Sequence, residues 1–221
     1  MTDRPRTPNK APDAGSFYEH AGGLYVNLTN RCPVACRFCA KQAWDWSFRG
    51  RDLLLRTEAP LAKLRTGLRA RLRAPFPWRE VVFCGYGEST YRLEEMSRLS
   101  RDAAALRPGI PIRLNTIGLG DLIWRRNIVP ELSLFLSSVS VSLNTADPKQ
   151  WLELHRPAPA FRARGFMAAR LFAEHCVAAG LRTRVTAVEL PGVDLEAVRD
   201  YARRIGAEFL ARPQLLDDDA A

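Results

Sequence analysis

The segment SVSVSLN, Ser138–Asn144, alternates valine or leucine with serine or asparagine, and this alternation constrains the fold more than any other feature of the chain. Successive strand residues point to opposite faces, so Val139, Val141 and Leu143 share one side while Ser138, Ser140, Ser142 and Asn144 share the other. LYVNLT (Leu24–Thr29) splits the same way, with Val26 and Leu28 opposing Asn27 and Thr29. In PIRLNTI (Pro111–Ile117), Arg113 and Asn115 oppose Ile112 and Leu114; in RTRVTAVEL (Arg182–Leu190), Arg184 and Thr186 oppose Thr183, Val185 and Ala187. EVVFCG (Glu80–Gly85) and AEFLARP (Ala207–Pro213) complete six β-like runs. Helix-like stretches near Glu58–Leu72, Tyr91–Leu106, Asp121–Leu136, Ala163–Ala179 and Asp194–Ile205 lie between them, with Asp194 at an N-cap and Gly180 and Gly206 at C-terminal caps. Strand–helix alternation with short links predicts right-handed βαβ units and a parallel sheet. A doubly wound sheet, covered by helices on both sides, would carry near-continuous apolar strands. One polar face calls instead for a wet interior. The expected fold is α/β, a partial, open parallel β/α barrel of about six strands, too few for the usual eight-stranded closure.

No repeat or internal linker divides the 221 residues, so one domain is expected over 21–214. Residues 1–20 read as a flexible, polar, proline-bearing N-terminal arm and 215–221 as an acidic tail. With 47% hydrophobic residues the chain can bury a core, yet no apolar run approaches the ~20 residues of a membrane helix. The N-terminus lacks the apolar stretch of a signal peptide. These features predict a cytoplasmic protein with no membrane association. Reducing conditions there disfavour structural disulfides, and an odd total of five cysteines fits that setting. The net charge is +9, with the densest basic run from Leu61 to Arg79. Its arginines alternate with leucines at helical spacing, which reads as a solvated helix face; attraction to a nucleic acid or a phosphorylated substrate is the other reading.

Three of the cysteines fall within eight residues, in NRCPVACRFCAK directly after the first predicted strand. Cys32, Cys36 and Cys39 form C-x3-C-x2-C on a loop at a strand's carboxyl end, where parallel α/β folds place their sites. Clustered thiolates suit zinc or an iron–sulfur cluster. Structural zinc takes four protein ligands, and the remaining candidates, His20, His155, His175, Cys84 and Cys176, stand at no zinc-finger spacing. A [4Fe–4S] cluster held by three cysteines leaves one iron open to another molecule, so the absent fourth ligand is itself informative.

C-x3-C-x-aromatic-C, with Phe38 as the aromatic, resembles the signature of the radical S-adenosylmethionine (radical SAM) enzymes. FCGYGEST, Phe83–Thr90, is similar to that family's glycine-glycine-glutamate segment. LYVNLTNRCPVACRFCAK, FCGYGEST, IRLNTIGLGDLI, RNIVPEL and SVSLNTADPKQW together resemble the small TatD-associated radical SAM proteins, over Leu24 to Pro157. The sequence departs from that pattern at Ser89, where proline is expected, and at Ile117, where asparagine is expected.

The resemblance implies that Cys32, Cys36 and Cys39 bind a [4Fe–4S] cluster and that S-adenosyl-L-methionine (SAM) occupies the open iron. Gly85, Gly87 and Glu88 would then approach the methionyl amino group, since glycine permits close backbone approach and a carboxylate matches an ammonium. Phe38 would lie near adenine or serve as a core aromatic. Ser142 and Asn144 would hold the ribose hydroxyls or act as turn formers. The expected reaction is reductive cleavage of SAM to a 5′-deoxyadenosyl radical, which takes hydrogen from a small, anionic substrate. Arg113, Arg156 and Arg184 are candidates to bind that anion, and His155 could approach the site. Cys84 and Cys176 read as buried and structural, and Trp44, Trp46 and Trp124 as core or rim packing. Implied partners are a flavodoxin- or ferredoxin-type electron donor and a TatD-family hydrolase. A glycyl-radical-enzyme activase and a modified-nucleoside precursor synthase are alternatives within the family. A basic zinc- or cluster-bearing nucleic-acid module is the alternative of another class.

Overall fold

Ala21 and Gly22 both take left-handed φ, +48° and +77°. The chain therefore reverses in a two-residue turn whose twist suits a hairpin, and Phe17–His20 (β1) pairs antiparallel with Gly23–Val26 (β2) in this computed structural model, which describes residues 15–214. From β2 the chain visits Ser47–Phe48 (β3), Arg51–Asp52 (β4), Glu80–Phe83 (β5), Ile112–Thr116 (β6), Ser138–Ser142 (β7), Arg182–Val188 (β8) and Glu208–Arg212 (β9). β2 and β5 to β9 are parallel neighbours in sequence order, giving a sheet ordered β1-β2-β5-β6-β7-β8-β9. All six predicted strands are present, and the fold is the expected open parallel arrangement with one antiparallel strand added. β1 falls inside residues 1–20, so the part of the predicted arm that is described is sheet rather than coil; residues 1–14 and the tail 215–221 lie outside the described residues.

The helices that connect the strands are Ala40–Ala43 (α1), Leu61–Arg73 (α2), Leu93–Leu106 (α3), Gly120–Trp124 (α4), Val129–Leu132 (α5), Pro148–His155 (α6), Pro159–Arg162 (α7), Gly165–Ala178 (α8) and Leu195–Ile205 (α9). The single helix expected over Asp121–Leu136 is two. Arg125 takes a left-handed φ of +54°, and Pro130 restricts the helical approach to itself. Asp121 Oδ1 accepts from the Ile128 amide and holds the break closed. Helix α6 was not foreseen, although Asp147-Pro148 is a start signal: Asp147 accepts from the Gln150 amide and Pro148 occupies the first turn.

Registry carries the one-sided pattern across the sheet. Val81, Ile112, Phe83, Leu114, Val139 and Val141 face outward and join Leu64, Leu68, Leu99, Phe172 and Val198 of the covering helices in one buried core. The opposite face aligns Asn115, Ser140 and Arg184, then Ser142 and Thr186. At its β1–β5 end that inner face holds a second, smaller cluster of Tyr18, Tyr25, Leu53 and Val82, with Phe48 of the β3–β4 hairpin packed on it. Aromatic side chains thus plug one half of the interior and leave the hydroxyl-lined β6–β9 half for the site.

The basic run becomes the outer flank of α2. Leu64, Leu68 and Leu72 are buried, and Arg65 and Arg69 both bind Asp102 of α3, at 2.7 and 2.8 Å. The Arg71 guanidinium lies 4.4 Å from the Phe17 ring centre. This is the solvated-face reading. No described helix is long and apolar enough to cross a membrane.

Candidate active site

Strand β2 ends at Val26, and the chain then runs extended through Thr29 into the cysteine loop. That loop is clamped by backbone bonds to the segment after α6: Ala35 N to His155 O at 3.0 Å, Arg37 N to Leu154 O at 2.9 Å, and Ala158 N to Pro33 O at 2.9 Å. Val34 also bridges Pro157. The three sulfurs sit half-buried on this loop as free thiols. Burial pushes the Cys32 thiol up to about 11 and raises Cys36 and Cys39 as well, while the charge of nearby Lys41 acts against the rise in all three. Sulfurs that resist ionising alone need a cation beside them to act as thiolate ligands, which an iron centre provides. Among the described residues no three His, Cys, Asp or Glu side chains converge as a site for a single ion. A loop-borne cysteine trio suits a multinuclear centre, where each sulfur takes a different iron, better than a closed tetrahedral zinc. The donor set fits an iron–sulfur cluster.

His155, which the sequence offered only as a neighbour of the site, is fully buried with Nδ1 3.3 Å from Cys36 Sγ. Its Nε2 lies 3.2 Å from Asn144 Nδ2 and 3.3 Å from the Leu143 carbonyl. Trp151 stacks on the ring at 4.7 Å, and Phe38 meets it edge-on at 5.6 Å. Burial holds the His155 pKa down at about 4, so the ring is neutral. Spacing alone gave no signal for this pair, which is separated by more than a hundred residues.

The FCGYGEST turn packs against the chain itself. A Cβ at Gly87 would stand 2.1 Å from the Thr29 carbonyl oxygen, and one at Gly85 would stand 2.1 Å from Asn27 Oδ1. The segment between β2 and the cysteines thus packs tightly against both glycines. Glu88 is engaged within the chain. Its buried carboxylate accepts from Thr90 N, Thr90 Oγ1, Thr116 Oγ1 and Ile117 N, at 2.7–3.1 Å. These bonds tie the turn after β5 to the end of β6, and the Glu88 amide donates to Arg31 O at 2.8 Å. Ile117 serves here through its backbone, so the departure from asparagine leaves that tie intact.

Asn144 is likewise engaged within the chain. In a left-handed conformation with φ +64°, it accepts from Val188 N and donates to Ser142 O. Its side chain is fully buried and organises the ends of β7 and β8, whereas Ser142 is half-buried on the inner face. Of the three arginine candidates for an anion, two are paired within the chain. Arg113 forms a two-pronged pair with Glu80 at 2.9 and 2.7 Å, and Arg184 pairs with Glu208 at 2.7 Å. Arg156 is exposed at the end of α6. Cys176 is buried as expected, but Cys84 is only half-buried, beside the inner aromatic cluster. Trp44 is buried, Trp46 half-buried and Trp124 40% exposed, in keeping with core and rim packing.

A sequence profile described as the Radical SAM superfamily matches residues 26–205, from β2 through α9. The chain belongs to that superfamily. It is therefore an enzyme of the radical SAM class, and membership implies SAM and an iron–sulfur cluster as cofactors. Solved structures share the fold. Streptococcus suis SuiB bound to precursor peptide SuiA superposes with TM-score 0.63 at 20% identity, over 86% of this chain and 39% of SuiB. A radical SAM methyltransferase from Sphaerobacter thermophilus gives 0.53 at 16% identity, over 89% of this chain and 68% of that one. The FeFe-hydrogenase maturase HydG from Carboxydothermus hydrogenoformans gives 0.57 at 16%, over 87% and 44%. The chain thus spans about two fifths of SuiB. No match was found among curated proteins.

Proposed function

We propose that this radical SAM enzyme binds a [4Fe–4S] cluster through Cys32, Cys36 and Cys39 and acts on a small anionic molecule held in the β6–β9 half of the barrel. The observation that carries the reading is the cysteine trio, half-buried on one clamped loop at the carboxyl end of the first parallel strand. When bound, the cluster and SAM supply one-electron cleavage of the sulfonium, giving methionine and a 5′-deoxyadenosyl radical that takes a hydrogen atom from the substrate. The chain's own residues hold and shield the site. His155, packed between Phe38 and Trp151, keeps the Cys36 side of the loop dry. Gly85 and Gly87 bring the β5 turn against the cysteine loop, and Glu88 locks it to β6. Ser142, whose hydroxyl accepts from Arg212 Nη2 and Thr186 Oγ1 at 3.4 and 3.5 Å, is the interior hydroxyl assigned to the ribose.

The TatD-associated subtype, a hydrolase of that family as partner, and a low-potential flavodoxin or ferredoxin as electron donor complete the reading. The resemblance in LYVNLTNRCPVACRFCAK and SVSLNTADPKQW supports them. Anaerobic reconstitution with iron and sulfide tests the proposal: about four irons per chain are expected, together with 5′-deoxyadenosine on addition of dithionite and SAM. A colourless, iron-free chain that binds stoichiometric zinc would refute it.

A further inference from the structure

Three arginines project from β6, β8 and β9 on the inner face, and the structure separates them sharply. Arg113 and Arg184 are neutralised by Glu80 and Glu208 and lie toward the amino-terminal end of their strands. Arg212 is the last residue of β9. Strand registry aligns Ser142 with Thr186, Thr186 with Leu210, and Val188 with Arg212. Arg212 therefore shares the inner face with Ser142 and Thr186, one pleat nearer the carboxyl edge on which the cysteine loop sits. Its Nη2 lies 3.4 Å from Ser142 Oγ, which in turn is 3.5 Å from Thr186 Oγ1. Its Nε is buried without a hydrogen-bond partner, and no carboxylate among the described residues pairs with it.

Withdrawing a guanidinium from water without a counter-anion is costly, and its planar fork matches a carboxylate or phosphate through two parallel hydrogen bonds. Burial lowers the Arg212 pKa. β9 is the edge strand, separated in the sheet from β2 and its cysteine loop by β5 to β8. An anion there belongs to the side of the barrel opposite the cysteine and glycine turns.

We propose that Arg212, with the hydroxyls of Ser142 and Thr186, forms the anion subsite of the substrate pocket and binds a carboxylate or phosphate of the molecule acted upon. The proposal rests on the reading of the β6–β9 interior as the substrate-binding half. The α-carboxylate of SAM has the same chemistry, so the test treats the two sources separately.

Inorganic phosphate and malonate serve as probes on the reconstituted enzyme, followed through the side-chain Nε–H resonances of ¹⁵N-arginine-labelled protein. SAM affinity is measured in parallel by equilibrium dialysis. The expected result is a saturable shift of the Arg212 resonance, with probe affinity about ten-fold or more weaker in Arg212→Gln, as the loss of charge-assisted hydrogen bonds implies. Ser142→Ala should weaken the probes by a smaller factor, and SAM affinity should be unchanged in Arg212→Gln. An Arg212 resonance unmoved by either probe overturns the proposal, and this wild-type arm stands even if a variant fails to fold. Loss of SAM affinity with probe binding intact also overturns it and assigns Arg212 to the cofactor. Iron content reports on the cluster assignment independently, so failure of that reading is recognised separately.

Discussion

Cys36 Sγ and His155 Nδ1 lie 3.3 Å apart, although 119 positions separate the two residues in the chain. The contact joins the cysteine loop to the end of β7, because the far side of the same imidazole meets Asn144 and the Leu143 carbonyl. If Cys36 holds the cluster as proposed, a neutral ring in that position would orient the sulfur and exclude water from it.

His155→Ala should therefore weaken cluster retention by about 10–100-fold, the usual effect of removing a group that supports a metal ligand. The measurement is the rate of iron loss to a chelator under anaerobic conditions, with thermal unfolding of the cluster-free protein as control. Iron retention equal to wild type would show that the ring only packs.

Cys36→Ala should eliminate the cluster's visible absorbance and SAM cleavage together, and Cys32→Ala and Cys39→Ala should do the same. The cluster-free thermal midpoint should change little, because each sulfur is half-buried at the edge of the core. Continued production of 5′-deoxyadenosine by the Cys36 variant would contradict the ligand assignment.

Glu88→Ala should cost about 2–4 kcal/mol of stability, since it strands backbone and hydroxyl donors in a dry site. Glu88→Gln should also destabilise, because a carboxamide turns donor hydrogens toward groups that themselves donate. Urea unfolding of the cluster-free protein separates this from a cofactor contact: a normal midpoint with weakened SAM binding would favour the ammonium-binding role instead.

Gly87→Ala should prevent normal folding. The new methyl would overlap the backbone carbonyl oxygen of Thr29 at 2.1 Å, where no rotamer change can relieve it. Soluble expression and circular dichroism provide the check, and a folded variant with a wild-type midpoint would refute the packing account.

Asp102 supplies an acid-dependent link between α2 and α3. Hydrogen bonds from Arg65, followed by those from Arg69, hold its pKa at about 2, below the ordinary 3.8. A depressed carboxylate stabilises the fold above its unfolded pKa, and that contribution disappears as pH falls from about 4 through about 2. The contribution is about 1 kcal/mol, because the arginines are partly exposed and solvent screens the pair. Asp102→Asn should remove this part of the acid sensitivity, as measured by unfolding midpoints at pH 5 and pH 2.5.

The alternation of SVSVSLN, LYVNLT and PIRLNTI was enough to predict a sheet with one wet face, because the strand period leaves little freedom over which side chains share a side. The hairpin before β2 was signalled by Ala21-Gly22-Gly23, and the start of α6 by Asp147-Pro148. Both signals are local turn chemistry, weaker than the strand patterns beside them. The break between α4 and α5 was harder to see, because apolar periodicity continues through Arg125 to Leu136 while the backbone reverses.

By itself the sequence determined that three thiols lie together on the loop after the first parallel strand, since ligand spacing within a loop is a local property. It also determined the open barrel, through the period of its strands. Tertiary structure alone decided which polar residues remain available to a ligand. Glu88, Asn144, Arg113 and Arg184 all looked free in the linear chain, yet each finds distant partners once the strands come into register. Arg212 finds no carboxylate among the described residues. Whether a polar group is satisfied depends on neighbours remote in sequence, and only folding brings those neighbours within hydrogen-bonding distance.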